Sequence, residues 1–159
     1  MTRIKILLGT LFGAGMLPGA PGTWGSFFTL PLIYGAYWLS PEFGLILLLL
    51  CTILLSLWTT DQNVIRFGDD PPQFVMDEAA GQTVVFMTST FHFAAGHDLL
   101  LLLAGFILFR VFDILKPFGI KKLDAIKDKY GILVDDLLAG FYALILLETI
   151  FYLSRTLSF

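Results

Sequence analysis

Five carboxylates at the edges of apolar stretches have the side-chain chemistry to bind a divalent cation together. They are Asp77, Glu78, Asp113, Asp135 and Asp136. An ionisable side chain within a membrane segment is costly, so it persists mainly when it is paired, lies near the interface or serves a function. Individually, Asp77 and Asp135 could also cap the helices that they begin. For the group as a whole, the number of acids favours a divalent-metal site built from all five.

Two basic residues close to Asp113 could hold an anion beside this metal site. Arg110, Asp113 and Lys116 are each three residues apart, which places them within an arc of about 120° on a helix. Arg110 could pair with Asp113, whereas Lys116 precedes Pro117, where the helix should end and free the lysine side chain. Arginine suits bidentate phosphate oxygens and lysine supplies a mobile point charge. Since no cysteine or histidine joins the cluster, these residues favour Mg²⁺ together with a phosphate.

The stretch GAPGTWGS at residues 19–26 could supply further hydrogen-bond donors. Its glycines, Gly22 and Gly25, permit close approach of the backbone, and Thr23 and Ser26 add hydroxyl groups ahead of an apolar helix. The Gly-Lys-Ser/Thr ending of a nucleotide-binding P-loop is missing. Taken alone, the stretch equally fits a helix N-cap preceded by a Pro-Gly turn. Beside the acids and the basic residues, it predicts a loop that binds phosphate.

The elements that must position these residues are apolar. Of the 159 residues, 57% are hydrophobic and 14% are charged, and the mean hydropathy is +0.81. This composition predicts an integral membrane protein and excludes an ordinary soluble domain. The net charge of -3 gives no general attraction for nucleic acid. With no linker or internal repeat in the sequence, residues 1–159 are expected to form a single membrane-embedded domain.

The fold class predicted from the apolar pattern is all-α, an integral membrane helical bundle of about five transmembrane helices. The apolar stretches cover residues 27–40, 43–60, 80–95, 99–115 and 137–153. Several are shorter than the roughly 20 residues that span a hydrocarbon core, so some helices could be short or pack against protein. The earlier segment 4–17 has glycines at 9, 13 and 15. These glycines favour an N-terminal re-entrant or packed helix over a cleaved signal peptide.

The basic residues orient this bundle. With the amino terminus inside, the positive-inside rule places most of them on the cytoplasmic side. They are Arg3, Lys5, Arg66, Lys116, Lys121, Lys122, Lys127 and Lys129. The same topology gathers the five acids and the glycine-rich stretch on the cytoplasmic face, and it places His92 and His97 at the opposite end. We therefore expect one polar site, without histidine, on the cytoplasmic face.

Four segments of the chain resemble a known family in their order and spacing. They are GMLPGAPGTWGSFFTLP, VMDEAAGQ, FRVFDILKPFGIKKLD and GILVDDLLAG. They are similar to the sequence blocks of phosphatidylglycerophosphatase A, a bacterial membrane enzyme that dephosphorylates phosphatidylglycerophosphate. The resemblance implies a Mg²⁺-dependent lipid phosphatase of the inner membrane that crosses the bilayer several times. It also implies an active site on the cytoplasmic side and a role in phosphatidylglycerol synthesis.

Together with the resemblance, the residues give a hypothesis for the mechanism. The expected catalytic residues are Asp77, Glu78, Asp113 and Asp136, and the expected Mg²⁺ ligands are these four with Asp135. The expected phosphate-binding residues are Gly22, Thr23, Gly25, Ser26, Arg110 and Lys116. The ion would neutralise the phosphomonoester and lower the pKa of a bound water, which Glu78 could orient or deprotonate. A phosphoaspartyl intermediate fits the same residues.

Two other functions stay open at this point. A membrane transporter of cations or protons predicts carboxylates near mid-membrane, and Glu148 fits it, about 18 Å beyond Asp136 on a continuous helix. A lipid phosphotransferase that displaces CMP shares the acids, Mg²⁺ and topology, but its Asp-Gly-x₂-Ala-Arg block is missing from this sequence. The substrate range, the number of metal ions and the oligomeric state are left open by the sequence.

Overall fold

The computed structural model describes residues 1–117, 119–126 and 128–157. These residues form seven α-helices, one short 3-10 helix at Ala14–Met16, and no strand. The α-helices are α1 (Thr2–Gly9), α2 (Pro21–Leu39), α3 (Gly44–Phe67), α4 (Met76–Val84), α5 (Ala95–Leu115), α6 (Ile120–Asp124) and α7 (Lys129–Leu157). The predicted all-α class is therefore confirmed for the described part of the chain. Lys127, one of the basic residues that oriented the bundle, lies outside it.

Within the described residues, two helices are long and apolar enough to cross a membrane, judged by length and composition. They are α3 and the stretch Lys129–Ser154 of α7. Helix α4 has only nine residues and is about 14 Å long. The stretch 80–95 thus does not form one helix, contrary to the prediction. The reason is local: Val84 and Val85 are followed by the run Thr88, Ser89 and Thr90, and these residue types favour a helix weakly.

Helix α4 is the central element of the fold. It contacts α2, α3, α5 and α7, and seven of its nine residues are buried. Small residues allow this, since Ala79, Ala80 and Gly81 leave room for the surrounding backbones. The first turn of α4, which carries two of the predicted acids, is thereby held inside the bundle.

Helices α4 and α7 cross at a pair of glycines. A Cβ atom on Gly81 would lie 2.5 Å from the backbone oxygen of Asp136. A Cβ atom on Gly140 would overlap the backbone oxygen of Gly81. Because neither position tolerates a side chain without movement, the two backbones approach closely at this point. This crossing sets the distance between the acids of α4 and those of α7.

The N-terminal segment packs on α3, as predicted for a packed helix. The Nδ2 atom of Asn63 donates a hydrogen bond to the backbone oxygen of Lys5 over 3.2 Å. Gly9 lies directly against the Asn63 side chain. Beyond α1 the chain turns through Gly13, whose φ of 95° lies in the left-handed region that favours glycine. This turn leads the chain to the start of α2.

Helix α2 begins at Pro21, so the prediction of a loop is wrong for residues 21–26. Proline is favourable at the first helical position because no N–H group is needed there. The first hydrogen bond of the helix runs from the Trp24 N–H to the Ala20 oxygen over 3.1 Å. The N–H groups of Gly22 and Thr23 precede this bond, so they are available to a ligand. Glycine next to proline in GAPG is typical of a turn, so the sequence did not indicate that the helix starts at Pro21.

Candidate active site

Three of the five predicted acids meet where α4 crosses α7. Asp77 and Glu78 lie in the first turn of α4, and Asp136 lies on α7. One carboxylate oxygen from each of the three lies within 4.8 Å of the others. Asp77 and Asp136 are each 5% exposed, so the three charges repel one another with little screening by water. A bound cation would remove this repulsion.

The donor set of this acid cluster fits a hard divalent cation, the class to which Mg²⁺ belongs. All three residues offer oxygen atoms, which are the ligands that hard divalent cations prefer. The Oε2 atom of Glu78 is buried and has no hydrogen-bond partner among the described residues. The Oδ1 atom of Asp77 accepts a hydrogen bond from the backbone N–H of Glu78 over 3.0 Å, which fixes one of its two oxygens. The cluster thus combines fixed and unsatisfied oxygens, as a metal site requires.

The alternative in which these acids act as helix caps does not agree with the helix bounds. Val75, not Asp77, occupies the N-cap position of α4. Helix α7 begins at Lys129, so Asp135 and Asp136 lie beyond its first turn. Capping therefore does not explain why these carboxylates are buried.

The other two predicted metal ligands each face a basic residue. The Nη1 atom of Arg110 lies 2.6 Å from Oδ2 of Asp113. The Nζ atom of Lys116 lies 2.6 Å from Oδ2 of Asp135. The structure thus places Asp113 and Asp135 in ion pairs at the margin of the cluster, and not among its three converging oxygens. Their predicted role as metal ligands is untested by this arrangement.

Helix α5 ends at Leu115, two residues before Pro117. Because the helix ends there, Lys116 can reach Asp135. The sequence predicted this end from the proline. Lys116 itself has a φ of 45°, in the left-handed region. This conformation turns the chain sharply, and the lysine side chain then contacts α7.

The start of α2 joins the acid cluster to Arg110. A Cβ atom on Gly22 would overlap Oε1 of Glu78 and would lie 3.1 Å from Nη1 of Arg110. The same Nη1 atom donates a hydrogen bond to Oγ of Ser26 over 3.4 Å. The first turn of α2, the first turn of α4 and the last turns of α5 therefore meet at Gly22. The first turn of α2, the guanidinium group of Arg110 and the edge of the acid cluster are therefore close together.

The four residues of the predicted phosphate-binding loop fall into two pairs. Gly22 and Thr23 lie in the first turn of α2, where N–H groups are open. Gly25 and Ser26 are buried one turn later. The Ser26 hydroxyl donates to the Gly22 oxygen over 2.8 Å, and Gly25 packs against the side chain of Val75. Gly25 and Ser26 therefore fix the positions of α2 and Arg110 through buried contacts.

Gln82 lies near the acid cluster and was not among the predicted site residues. It is fully buried one helical turn after Glu78. Neither of its amide atoms, Nε2 and Oε1, has a hydrogen-bond partner within the described part of the chain. A buried amide without partners is costly. The sequence signal that could have identified Gln82 is its place in VMDEAAGQ, where a polar amide follows small and apolar residues.

The histidines lie far from this site, as the topology predicted. The rings of His92 and His97 pack together with centroids 4.8 Å apart. His97 is in the first turn of α5, and Asp113 follows about 24 Å further along the same helix. The Oε1 atom of Glu148, on α7, accepts a hydrogen bond from Thr88 over 2.8 Å. Glu148 therefore has a local partner outside the acid cluster.

Comparison with known proteins identifies the family of the chain. Residues 7–151 match the family model described as phosphatidylglycerophosphatase A. Proteins of that name from Haemophilus influenzae and Escherichia coli are 36% and 30% identical to the chain, covering 92% and 84% of it and 88% and 76% of their own lengths. A Bacteroides thetaiotaomicron protein provisionally named phosphatidylinositol-3-phosphatase is 32% identical over 91% of both chains. No solved structure matches the chain. The chain belongs to the phosphatidylglycerophosphatase A family, as its four sequence blocks predicted.

Proposed function

We propose that this protein is a Mg²⁺-dependent lipid phosphatase. It hydrolyses the terminal phosphomonoester of phosphatidylglycerophosphate and yields phosphatidylglycerol and phosphate. Membership of the family and the names of two relatives support this activity. The observation that carries the proposal is the meeting at Gly22, where a buried cluster of three carboxylates lies beside Arg110 and an open helix start.

In this proposal Asp77, Glu78 and Asp136 hold the metal ion. When bound, Mg²⁺ supplies charge neutralisation for the phosphomonoester and a more acidic bound water. Asp113 orients Arg110 and Asp135 orients Lys116 through the 2.6 Å ion pairs. Because Asp113 holds the guanidinium group of Arg110 in one orientation, the N–H groups of Arg110 that are not bound to Asp113 point in fixed directions, as a phosphate site requires.

The chain's own donors surround the transferred phosphoryl group. The N–H groups of Gly22 and Thr23 lie at the N-terminus of α2 ahead of its first hydrogen bond. The helix dipole at this end also favours an anion. Arg110 adds a planar set of donors and Lys116 adds a point charge. Such donors stabilise the charge that spreads over the phosphoryl oxygens in the transition state. Glu78, whose Oε1 atom lies beside Gly22, accepts the proton of the attacking water with that oxygen.

The proposed setting is the inner membrane, with the active site at its cytoplasmic face. Helices α3 and α7 support two crossings, and α2 and α5 have 19 and 21 residues, close to the roughly 20 residues that a crossing needs. The fifth crossing is α4 followed by the non-helical residues 85–94. Non-helical backbone at membrane depth is tolerated where protein buries it, and Val85, Phe86 and Phe91 are buried.

Phosphate release from purified protein tests the proposed activity. The protein in mixed micelles with phosphatidylglycerophosphate should release free phosphate with Mg²⁺ and not with excess chelator. Asp77→Asn and Asp136→Asn should each abolish release, since each removes a charged oxygen from the cluster. Asp61→Asn, an exposed aspartate on α3, is the matched control and should retain activity. Turnover by either cluster variant at the wild-type rate would contradict its assignment.

A second substrate is favoured by one comparison. The Bacteroides relative carries the name of a phosphatidylinositol-3-phosphatase, and both lipids present a phosphomonoester on a polyol headgroup that a phosphodiester joins to diacylglycerol. Phosphatidylinositol 3-phosphate should therefore be assayed in parallel, with kcat/KM compared between the two lipids. A higher kcat/KM for the inositol lipid would make it the preferred substrate and leave the proposed chemistry unchanged.

The transporter alternative loses its main support in this structure. Glu148 was the acid that fitted a transport path, and it is hydrogen-bonded to Thr88. The three converging carboxylates lie instead at one end of α4. Absence of phosphate release from every lipid tested, together with cation or proton flux in proteoliposomes, would reverse this choice.

A further inference from the structure

We propose that a double groove between α2 and α5 seats the two acyl chains of the lipid substrate. This inference rests on the proposed lipid phosphatase function and adds the part of the molecule that recognises the lipid tails. Both halves of the groove open on the outer surface of the bundle and meet at Thr23 and Phe106.

The first half of the groove runs along α5 and has a volume of about 360 Å³. It is lined by Thr23, by Arg110 and by aliphatic side chains of α5 that include Ile107 and Val111. Ile107 and Val111 are 57% and 43% exposed. The walls are therefore mainly apolar, and Arg110 is the one charged residue among the described residues that form them.

The second half of the groove runs along α2 and has a volume of about 420 Å³. Its walls include the aromatic rings of Trp24, Phe27 and Phe106. The rings of Phe27 and Phe106 meet edge to face with centroids 6.1 Å apart. The Trp24 Nε1 atom donates to the Pro18 oxygen over 3.2 Å, which fixes the indole ring at the rim. Phe106 thus stands as a ridge between two apolar channels.

The groove is continuous with the proposed phosphate site, and this decides its occupant. Thr23 and Arg110 belong to both, and Arg110 also contacts Ser26 and Asp113. A ligand that fills the groove and reaches the site must have an anionic head and apolar tails. Two channels on either side of one ridge suit a diacyl lipid, whose tails diverge from one headgroup. Each channel is within the size range of small-molecule pockets.

Narrowing the groove with tryptophan tests the inference. Ile107→Trp and Val111→Trp place a large ring in the first channel at positions that are already exposed, so folding should be preserved. Ile145→Trp on α7, 48% exposed and outside the groove, is the matched control. The measurement is the ratio of kcat/KM for dioleoyl phosphatidylglycerophosphate to kcat/KM for the dihexanoyl lipid, whose short tails fill little of the groove.

We expect the groove variants to lower this ratio about tenfold, because the long tails lose their channel, and we expect Ile145→Trp to leave it unchanged. An unchanged ratio in both groove variants, or an equal fall in Ile145→Trp, would overturn the inference. An effect confined to the oligomeric state would also overturn it, since a second copy of the chain would then cover this face.

Photo-crosslinking provides a measurement that does not depend on turnover. Phosphatidylglycerophosphate with a diazirine in one acyl chain should label α2 and α5 in chelator, and excess unlabelled lipid of the same kind should compete. Labelling spread evenly over the lipid-facing helices would overturn the groove. A wild-type protein that releases no phosphate from either lipid would overturn the proposed function instead, and the labelling pattern would then decide the groove alone.

Discussion

Gly22 is the position where the first turn of α2 contacts both Glu78 and Arg110. A Cβ atom there would overlap Oε1 of Glu78, so any side chain must displace the acid or the helix. The sequence indicated that a glycine near this point permits close approach. It could not show which group approaches, since that depends on how three helices pack.

Gly22→Ala should therefore lose most of its activity while the protein stays folded. Alanine favours a helix over glycine by up to about 1 kcal/mol, so α2 itself is not weakened. Gly35→Ala on the same helix is the control, because a Cβ atom there meets nothing within 4 Å. Phosphate release and thermal unfolding of both variants check this expectation. Equal activity in the two variants would show that the contact with Glu78 is unimportant.

The ion pairs separate the roles of acids that look alike in the sequence. Asp113 faces Arg110, whereas Asp136 belongs to the acid cluster. Asp113→Asn should lower kcat/KM by about 10- to 100-fold and leave the Mg²⁺ concentration for half-maximal rate unchanged. Asp136→Asn should raise that concentration or abolish the response to Mg²⁺. Titrating activity with Mg²⁺ distinguishes the two, and a raised Mg²⁺ requirement in Asp113→Asn would restore Asp113 as a metal ligand.

The choice of five acids followed from residue type alone, because a carboxylate in an apolar stretch is costly wherever it lies. The spacing already allowed the Arg110–Asp113 pair, but the division between three converging oxygens and the ion pair of Asp135 was beyond the sequence. It depends on the rotation of α4 against α7 and on the turn at Lys116, and both are set by tertiary packing.

At the scale of helices, the apolar stretches located four long helices and missed the polar ends of three of them. Helices α2, α3 and α7 each continue beyond the predicted stretch at the end that carries the site. Hydropathy marks the part of a helix that suits lipid, so polar turns that continue the same helix escape it. Those polar turns of α2 and α7 carry Gly22, Thr23, Asp135 and Asp136.

Helix α4 shows the opposite limit. It was expected to be part of an apolar stretch extending to residue 95, but it ends at Val84. Its residues are apolar because the other helices enclose them, and apolar composition alone does not distinguish burial in protein from contact with lipid.

The glycine crossing makes α4 sensitive to added volume. Gly140→Ala would place a Cβ atom over the backbone oxygen of Gly81, which forces α7 away from α4. We expect the free energy of unfolding to fall by about 1 to 3 kcal/mol and the acid cluster to widen, with loss of activity. Gly96→Ala on α5 is the control, because its Cβ atom would meet nothing within 4 Å. Thermal unfolding in micelles measures the effect, and equal melting temperatures would contradict the close crossing.

For the whole molecule, the distribution of charge and the fold agree on one polar end. The acid cluster, Arg110 and Lys116 lie together, and the paired histidines lie at the other end of α5. The positive-inside rule assigned the polar end to the cytoplasm before any contact was known. Charge counts predict orientation because each loop's basic residues act separately during membrane insertion. Which helices pack together depends on the complete bundle, so charge counts do not predict it.

Cysteine labelling from one side of the membrane tests this orientation. The chain has a single native cysteine, Cys51, so Cys51→Ser gives a background to which one cysteine is added. Glu42→Cys, between α2 and α3, and Lys122→Cys, on α6, place a thiol at opposite ends of the bundle. An impermeant maleimide should label Glu42→Cys in intact spheroplasts and Lys122→Cys only after permeabilisation, since α6 follows the end of α5 that carries Arg110. Both variants should label fully in detergent. The reverse pattern would place the acid cluster outside the cell and would contradict the proposed orientation and setting together.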